Sequence, residues 1–339
     1  MMQDRSRQID SSIPQIPGFN PRTGSRRGGG TKRVWNIVLA ALCVLPALAR
    51  IGSVARASEP LRVCLQSDDP PLSSRASGKG FDVALSRAIA EQLGRPLAIQ
   101  WFVSRKDFDS NPPREASALV SDGHCQLVAS YALMTGTLAP LAGQTGKLPP
   151  FEGRTAADRR REIPLQDLMP TQPYRFDALA VVLAPAHADF PVKKLADISG
   201  MSLGVEIHTL PDLIAMYYGQ GRLAQWVVHF TDSAALFTAL EAGRIDAALV
   251  DLHEFDAWRA AHPNTRITAS GYTHSIGFNM GFVGIASERP LIARVNASIA
   301  DLKANGALAG MAQAAGLSWL PPRARAVQPG VSLAAVSGD

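Results

Sequence analysis

The chain has 339 residues, of which 46% are hydrophobic and 19% charged. That balance excludes a globally disordered protein and leaves room for two domains. A net charge of +5 would suggest a polyanionic partner, but the excess is confined to residues 1–57, which hold nine Lys/Arg against two acids; the remainder holds 25 against 27. The basic balance is therefore no argument for nucleic acid, and no nucleic-acid partner is expected.

Residues 1–33 are rich in Gly, Ser, Pro and Arg and show no apolar periodicity. Lys32 and Arg33 precede an apolar run of 16 residues, Val34 to Ala49, interrupted only by Asn36 and Pro46, and Ala55-Arg56-Ala57 follows as a small-x-small pattern. Positive, apolar, then small is the order of a secretory signal, so residues 1–57 are expected to be a leader cleaved near Ala57. The run is shorter than the roughly 20 residues a spanning helix needs; an uncleaved anchor is the competing reading. Two cysteines remain after this leader, Cys64 and Cys125. In an oxidising compartment they are either a disulfide or two separate buried thiols.

Leu61–Leu65 reads as a buried strand, ended by Asp68-Asp69-Pro70-Pro71. Gly80-Phe81 leads into a helix over Asp82–Leu93, where Val83, Leu85, Ile89, Ala90 and Leu93 fall near helical spacing before Gly94. A strand over Leu97–Val103, a short helix over Ala116–Val120 and a strand over Cys125–Ser130 complete a β-α-β-α-β block. Residues 136–170 break the pattern with many Gly and Pro residues and the run Arg159-Arg160-Arg161, and read as a solvated insertion loop long enough to contact something. A second block follows: strands over Ala178–Leu183, Ser202–Val205, Trp226–His229 and Ile245–Val250, with helices over Pro211–Tyr218 and Ser233–Ala242. A last strand at Phe282–Ala286 and helices over Leu291–Asn305 and Leu308–Ala315 close the domain, and residues 321–339 read as a flexible tail.

Two such blocks with a closing helix pair resemble the type 2 periplasmic binding-protein fold. Leu61-Arg62-Val63-Cys64, then Pro70-Pro71-Leu72 and Gly80-Phe81-Asp82, are similar to the opening of the extracellular solute-binding family 3. Gly243-Arg244-Ile245-Asp246-Ala247 and Val295-Asn296 with Asn305-Gly306 resemble its second-lobe strand and its closing helix. Arg62-Val63-Cys64, Trp101, Gly123 with Cys125, and Thr171-Gln172-Pro173-Tyr174-Arg175 look like the branch associated with quinoprotein alcohol and methanol dehydrogenases. The resemblance implies an α/β fold of two lobes, each a mostly parallel sheet flanked by helices, joined by a two-segment hinge with crossings near Phe176–Ala178 and Ser275–Phe278. Lobe 1 would comprise 58–177 and 276–320, lobe 2 178–275. It also implies a Cys64–Cys125 disulfide and a periplasmic location.

The resemblance places a ligand between the lobes. Amino-acid receptors of the family carry Thr-x-x-Arg after the third strand; here Thr135 matches the Thr, and Leu138 stands where the Arg would hold a ligand carboxylate. Asp251 matches an acid that holds a ligand ammonium, so a neutral or cationic ligand, or none, is implied. His208 and Thr209 stand at the second-lobe turn, where Thr209 either donates to ligand or only caps its helix. Asp68 and Asp69 on the first-lobe loop, and Tyr131 after the third strand, are the other candidate ligand contacts; Asp68 and Asp69 could equally be turn residues.

No Walker loop, dinucleotide fingerprint, HExxH or GxSxG occurs, and Asp251-Leu252-His253-Glu254 reads as acids placed favourably on a helix start, so neither an enzyme nor a cofactor is expected. The resemblance implies two functions. One is a solute receptor holding a small polar ligand for an inner-membrane ABC-type permease. The other is an accessory protein assisting a periplasmic quinoprotein dehydrogenase, with the cleft repurposed.

Overall fold

The computed structural model describes residues 58–104, 111–158 and 161–338. The expected leader and cleavage site, with Arg159 and Arg160, lie outside the described residues.

Leu61–Gln66 (β1) buries Leu61, Val63, Cys64 and Leu65, the near-continuous apolar run of a strand covered on both faces. A short hairpin, Asp68–Asp69 (β2) with Ser73–Ser74 (β3), leads into Phe81–Gln92 (α1). Gly80 makes the entry at φ 132, where a Cβ would stand 2.3 Å from the Leu72 carbonyl oxygen, so a side chain has no room. Leu97–Phe102 (β4) and Leu127–Ala132 (β5) lie on either side of β1, both parallel to it. Pro112–Ser121 (α2) starts at Asn111, whose side chain accepts from the Arg114 amide.

The cysteines settle the choice between a bridge and two thiols. Cys64 and Cys125 are joined, with Cα atoms 5.6 Å apart. The register is compatible with this: Cys64 lies opposite Val128 across the parallel β1–β5 pair, and Cys125 stands two residues before β5, on the turn that enters it.

Residues 136–170 are not the solvated loop expected. Thr145–Lys147 (β6) pairs with Glu162–Pro164 (β7), and Leu168–Pro170 (β8) pairs with the long strand described next. Leu141, Leu148, Ile163, Leu165 and Leu168 are buried in one cluster with Leu119, Val128 and Val283. These apolar residues are set among Gly and Pro at no regular period, which is why the sequence does not display them as core.

Arg175–Leu183 (β9) and Thr268–Ile285 (β13) form the antiparallel centre of the sheet. Sequence periodicity finds only the end of β13, because its 18 residues include Gly271 and Gly277 and two register shifts that break the alternation. Beyond β9 lie Leu203–Glu206 (β10), Val227–Phe230 (β11) and Ala247–Asp251 (β12), with Leu210–Tyr217 (α3), Ser233–Glu241 (α4) and Leu252–Ala261 (α5). The sheet runs β11-β10-β12-β9-β13-β5-β1-β4, a parallel triplet at each end. This is the expected α/β architecture of two lobes. The lobes meet through β9 and β13, where Gly277 faces Ala178 and Phe278 faces Asp177.

Arg289–Ala304 (α6) and Ala307–Ala315 (α7) contact α1 and each other. The segment after Pro322 was expected to be a flexible tail. Instead it makes backbone bonds to Leu133 and Thr135 and ends in Leu333–Val336 (α8), with Val336 1% exposed. Among the described residues no helix is long and apolar enough to cross a membrane.

Candidate functional site

A cleft of roughly 750 Å³ opens at the hinge. Lobe 1 contributes Gln66, Asp68 and Asp69 after β1, and Ser130 in β5. The hinge strand β9 contributes Arg175 and Asp177, and the second lobe contributes Glu206, His208 and Thr209 at the β10–α3 turn, with His253 on α5. Among the described residues, no Phe, Tyr or Trp lines the cleft.

The floor is one connected ionic network. Arg175, 2% exposed, pairs through Nη1 with Asp177 Oδ1 at 3.1 Å and donates from Nη2 to Ser130 Oγ at 3.2 Å. Ser130 Oγ in turn donates to Asp82 Oδ2 at 2.5 Å, and Tyr174 Oη donates to Asp82 Oδ1 at 3.1 Å. Ser130 holds φ 49, and its amide donates to Tyr174 Oη at 2.7 Å, a bond that helps fix the left-handed backbone. On the other side His253 Nδ1 lies 3.2 Å from Asp177 Oδ1. The chain of contacts thus runs from α1 of lobe 1, through the hinge strand, to α5 of lobe 2.

Burial opposes every charge in this network, and the partners decide the outcome. Burial pushes the Asp82 carboxyl up to about 6 despite the nearby Arg175 guanidinium and the Ser130 bond. Burial also works against the Asp177 carboxylate, but Arg175 and His253 together hold it well below the usual range. Burial disfavours the His253 imidazolium, yet Asp177 raises it to about 10. At neutral pH two cations, Arg175 and His253, therefore stand against two anions, Asp177 in the floor and Asp82 behind it. Asp68, Asp69 and Glu206 leave the walls acidic. A ligand carboxylate meets an already paired guanidinium and acidic walls; a neutral or cationic polar group is better matched.

Asp82 gives a pH test. It binds its proton more tightly folded than unfolded, so its contribution to stability is fully present below 3.8 and is lost as pH rises through about 6. Across that window the wild type is expected to lose up to about 3 kcal/mol relative to Asp82→Asn, read by urea denaturation at a series of pH values. A difference that stays flat with pH would remove the buried-acid account.

The sequence-predicted residues divide. Asp68, Asp69, His208 and Thr209 line the cleft. Thr209 caps α3: its hydroxyl donates to the Glu206 carbonyl at 2.6 Å and accepts from the Asp212 amide at 3.4 Å, so its proton is already used. His208 holds φ 64 at that turn. Tyr131 does not reach the cleft. Strand alternation turns it into the lobe 1 core, where it is 6% exposed and donates to the Thr137 carbonyl at 2.7 Å. Thr135 is exposed away from the cleft lining, and its amide donates to the Gln328 carbonyl. Asp251 ends β12 and precedes α5, two residues before His253, whose charged form its own charge favours.

The floor residues Ser130, Arg175, Asp177 and His253, and Asp82 behind them, are not among the ligand contacts that the sequence suggests. Signals existed: Asp82 and Arg175 sit in the motifs quoted for the family resemblance, and His253 in the polar Asp251–Glu254 run.

No family model matches the chain. It is 39% identical over 77 residues to an uncharacterized protein in the cycB 3′ region of Paracoccus denitrificans, a match covering 23% of this chain and 90% of that protein. Among solved structures it is similar to the L-cystine solute receptor of Neisseria gonorrhoeae in an unliganded open conformation, with TM-score 0.54 and 19% identity over 78% of this chain and 96% of that one. The second substrate-binding domain of Lactococcus lactis GlnP, also open, matches with TM-score 0.50 and 20% identity over 75% of this chain and 94% of that one. At these identities the structural likeness is one of fold.

Proposed function

The chain belongs to the family of the uncharacterized Paracoccus denitrificans protein, and we propose that it is a ligand-binding protein of the periplasm that closes two lobes on a small polar solute. The observation that carries this reading is the cleft at the hinge, floored by the buried Arg175, its partner Asp177 on β9 and His253 from lobe 2. Such a floor is already organised, so binding need not order it first. Its balanced charge and acidic walls favour a neutral or cationic ligand. Asp68, Asp69 and His208 are the proposed contacts, with Thr209 holding the turn that carries His208 and Asp251 acting through His253. An inner-membrane ABC-type permease would receive the solute.

Native mass spectrometry on protein purified from its own periplasm is expected to find one bound small molecule, absent from Asp69→Ala. Ligand-free wild-type protein would sink this reading.

The disulfide supports a second one. Cys64 and Cys125 are bridged as the quinoprotein-associated resemblance implies. In this reading the chain assists a periplasmic quinoprotein dehydrogenase and the cleft holds no solute. Recovery of a dehydrogenase subunit with ligand-free protein would favour it.

A further inference from the structure

We infer that residues 321–338 form an intramolecular strap that ties both lobes to the hinge and limits how far they separate. The inference is independent of what the cleft binds.

The strap starts at the hinge. The Phe176 amide in β9 donates to the Leu320 carbonyl at 2.9 Å. Arg323 lies over the Phe176 ring at 3.9 Å, and its amide donates to Asn279 Oδ1 at 2.9 Å. Asn279, fully buried in β13, returns its side-chain amide to the carbonyls of Arg323 at 3.1 Å and Arg325 at 2.9 Å. The Asn279 backbone amide donates to Gln328 Oε1 at 2.6 Å. One side chain of the hinge strand thus organises a turn of the strap.

Lobe 1 is gripped next. The Gln328 amide donates to the Leu133 carbonyl at 2.8 Å, and the Thr135 amide donates to the Gln328 carbonyl at 2.9 Å. This pair of bonds extends the end of β5 as a parallel bridge between Met134 and Gln328. The chain then crosses to lobe 2. Val336 joins the core cluster that contains Ile214, Tyr218 and Leu195, and the Gly219 amide donates to the Ser337 carbonyl at 3.0 Å.

Two anchors on different lobes, separated by a short chain, set a limit on opening. The eight chain steps from Gln328 to Val336 reach at most roughly 28 Å fully extended, and less while α8 stays helical. A wider excursion must break either the Thr135–Gln328 bonds or the Val336 contact. Closure by hinge rotation normally has no such intrachain tether to work against.

The test is a pulsed electron-electron resonance distance between spin labels on Arg87→Cys in α1 and Arg244→Cys beyond α4, both exposed positions, with Cys43→Ser to avoid stray labelling. In otherwise full-length protein a narrow distribution is expected. Val336→Asp places a charge in the lobe 2 cluster and is expected to broaden the distribution towards longer distances. A stop codon at Pro329 is expected to do the same, without introducing a charge. Circular dichroism checks that each variant is folded. A distribution unchanged in both folded variants would overturn the strap. If one variant fails to fold, the other decides alone.

Discussion

Arg175→Met is expected to destabilise the protein by about 3–5 kcal/mol, because it removes one partner of a buried ion pair and leaves the other in place. Arg175 is 2% exposed and Asp177 depends on it to stay ionised. Without the guanidinium, Asp177 keeps, among the described residues, His253 as its charge partner at 3.2 Å. The Asp82 carboxyl, held down by Arg175 against burial, rises further. Arg175→Lys is expected to restore little, since one ammonium on a flexible stem cannot reach both Asp177 and Ser130 as the planar fork does. Removing the anion as well gives the diagnostic variant. Arg175→Met with Asp177→Leu is expected to lose less stability than the sum of the single variants. Urea denaturation of the four proteins measures this, and strict additivity would mean the pair is not coupled.

The two blocks were legible because each strand is a short apolar run and each helix shows its period and its stop. Thr209 could be named as a cap from sequence, and the structure places it as one. The centre of the sheet was not legible. β13 alternates poorly, since Gly277 must be a glycine for a reason of packing: a Cβ there would lie 2.4 Å from Phe176 Cζ and 2.5 Å from the Asp177 carbonyl oxygen. The insertion hid its core role for a different reason. Leu148, Ile163 and Leu165 are buried by a fold of the loop on lobe 1, and no local period announces a contact made at long range.

The candidate site divides along the same line. Residues on cleft loops, Asp68, Asp69, His208 and Thr209, can be found from loop position alone. The floor residues carry a weaker signal: Arg175 stands in a family-resemblance motif and His253 in a polar run, but nothing local says that an Arg in a strand is buried. Only the tertiary pairing of Arg175 with Asp177 and Ser130 makes burial tolerable. Tyr131 failed as a ligand candidate by one step of strand alternation: Ser130 faces the cleft, and its neighbour faces the core.

Replacing both cysteines, Cys64→Ala with Cys125→Ala, is expected to destabilise the chain by about 4 kcal/mol in the chain-entropy account of a loop this long. The bridge links positions 61 residues apart, and the segment between them holds α1, β4 and α2. The folded state should survive the change, because β1 and β5 stay paired in the sheet without the bond. The effect then falls on the unfolded chain, which gains the freedom the cross-link had removed. Two readings in one experiment separate this from simple loss of packing. The urea midpoint is expected to fall, and the slope of free energy against urea is expected to rise, because a longer unfolded chain exposes more surface. A lower midpoint with an unchanged slope would place the loss in the lobe 1 core around Cys64 and Cys125, where both side chains are buried. A midpoint that does not move would show that the sheet register alone holds these strands. In that case the bridge would contribute nothing to lobe stability.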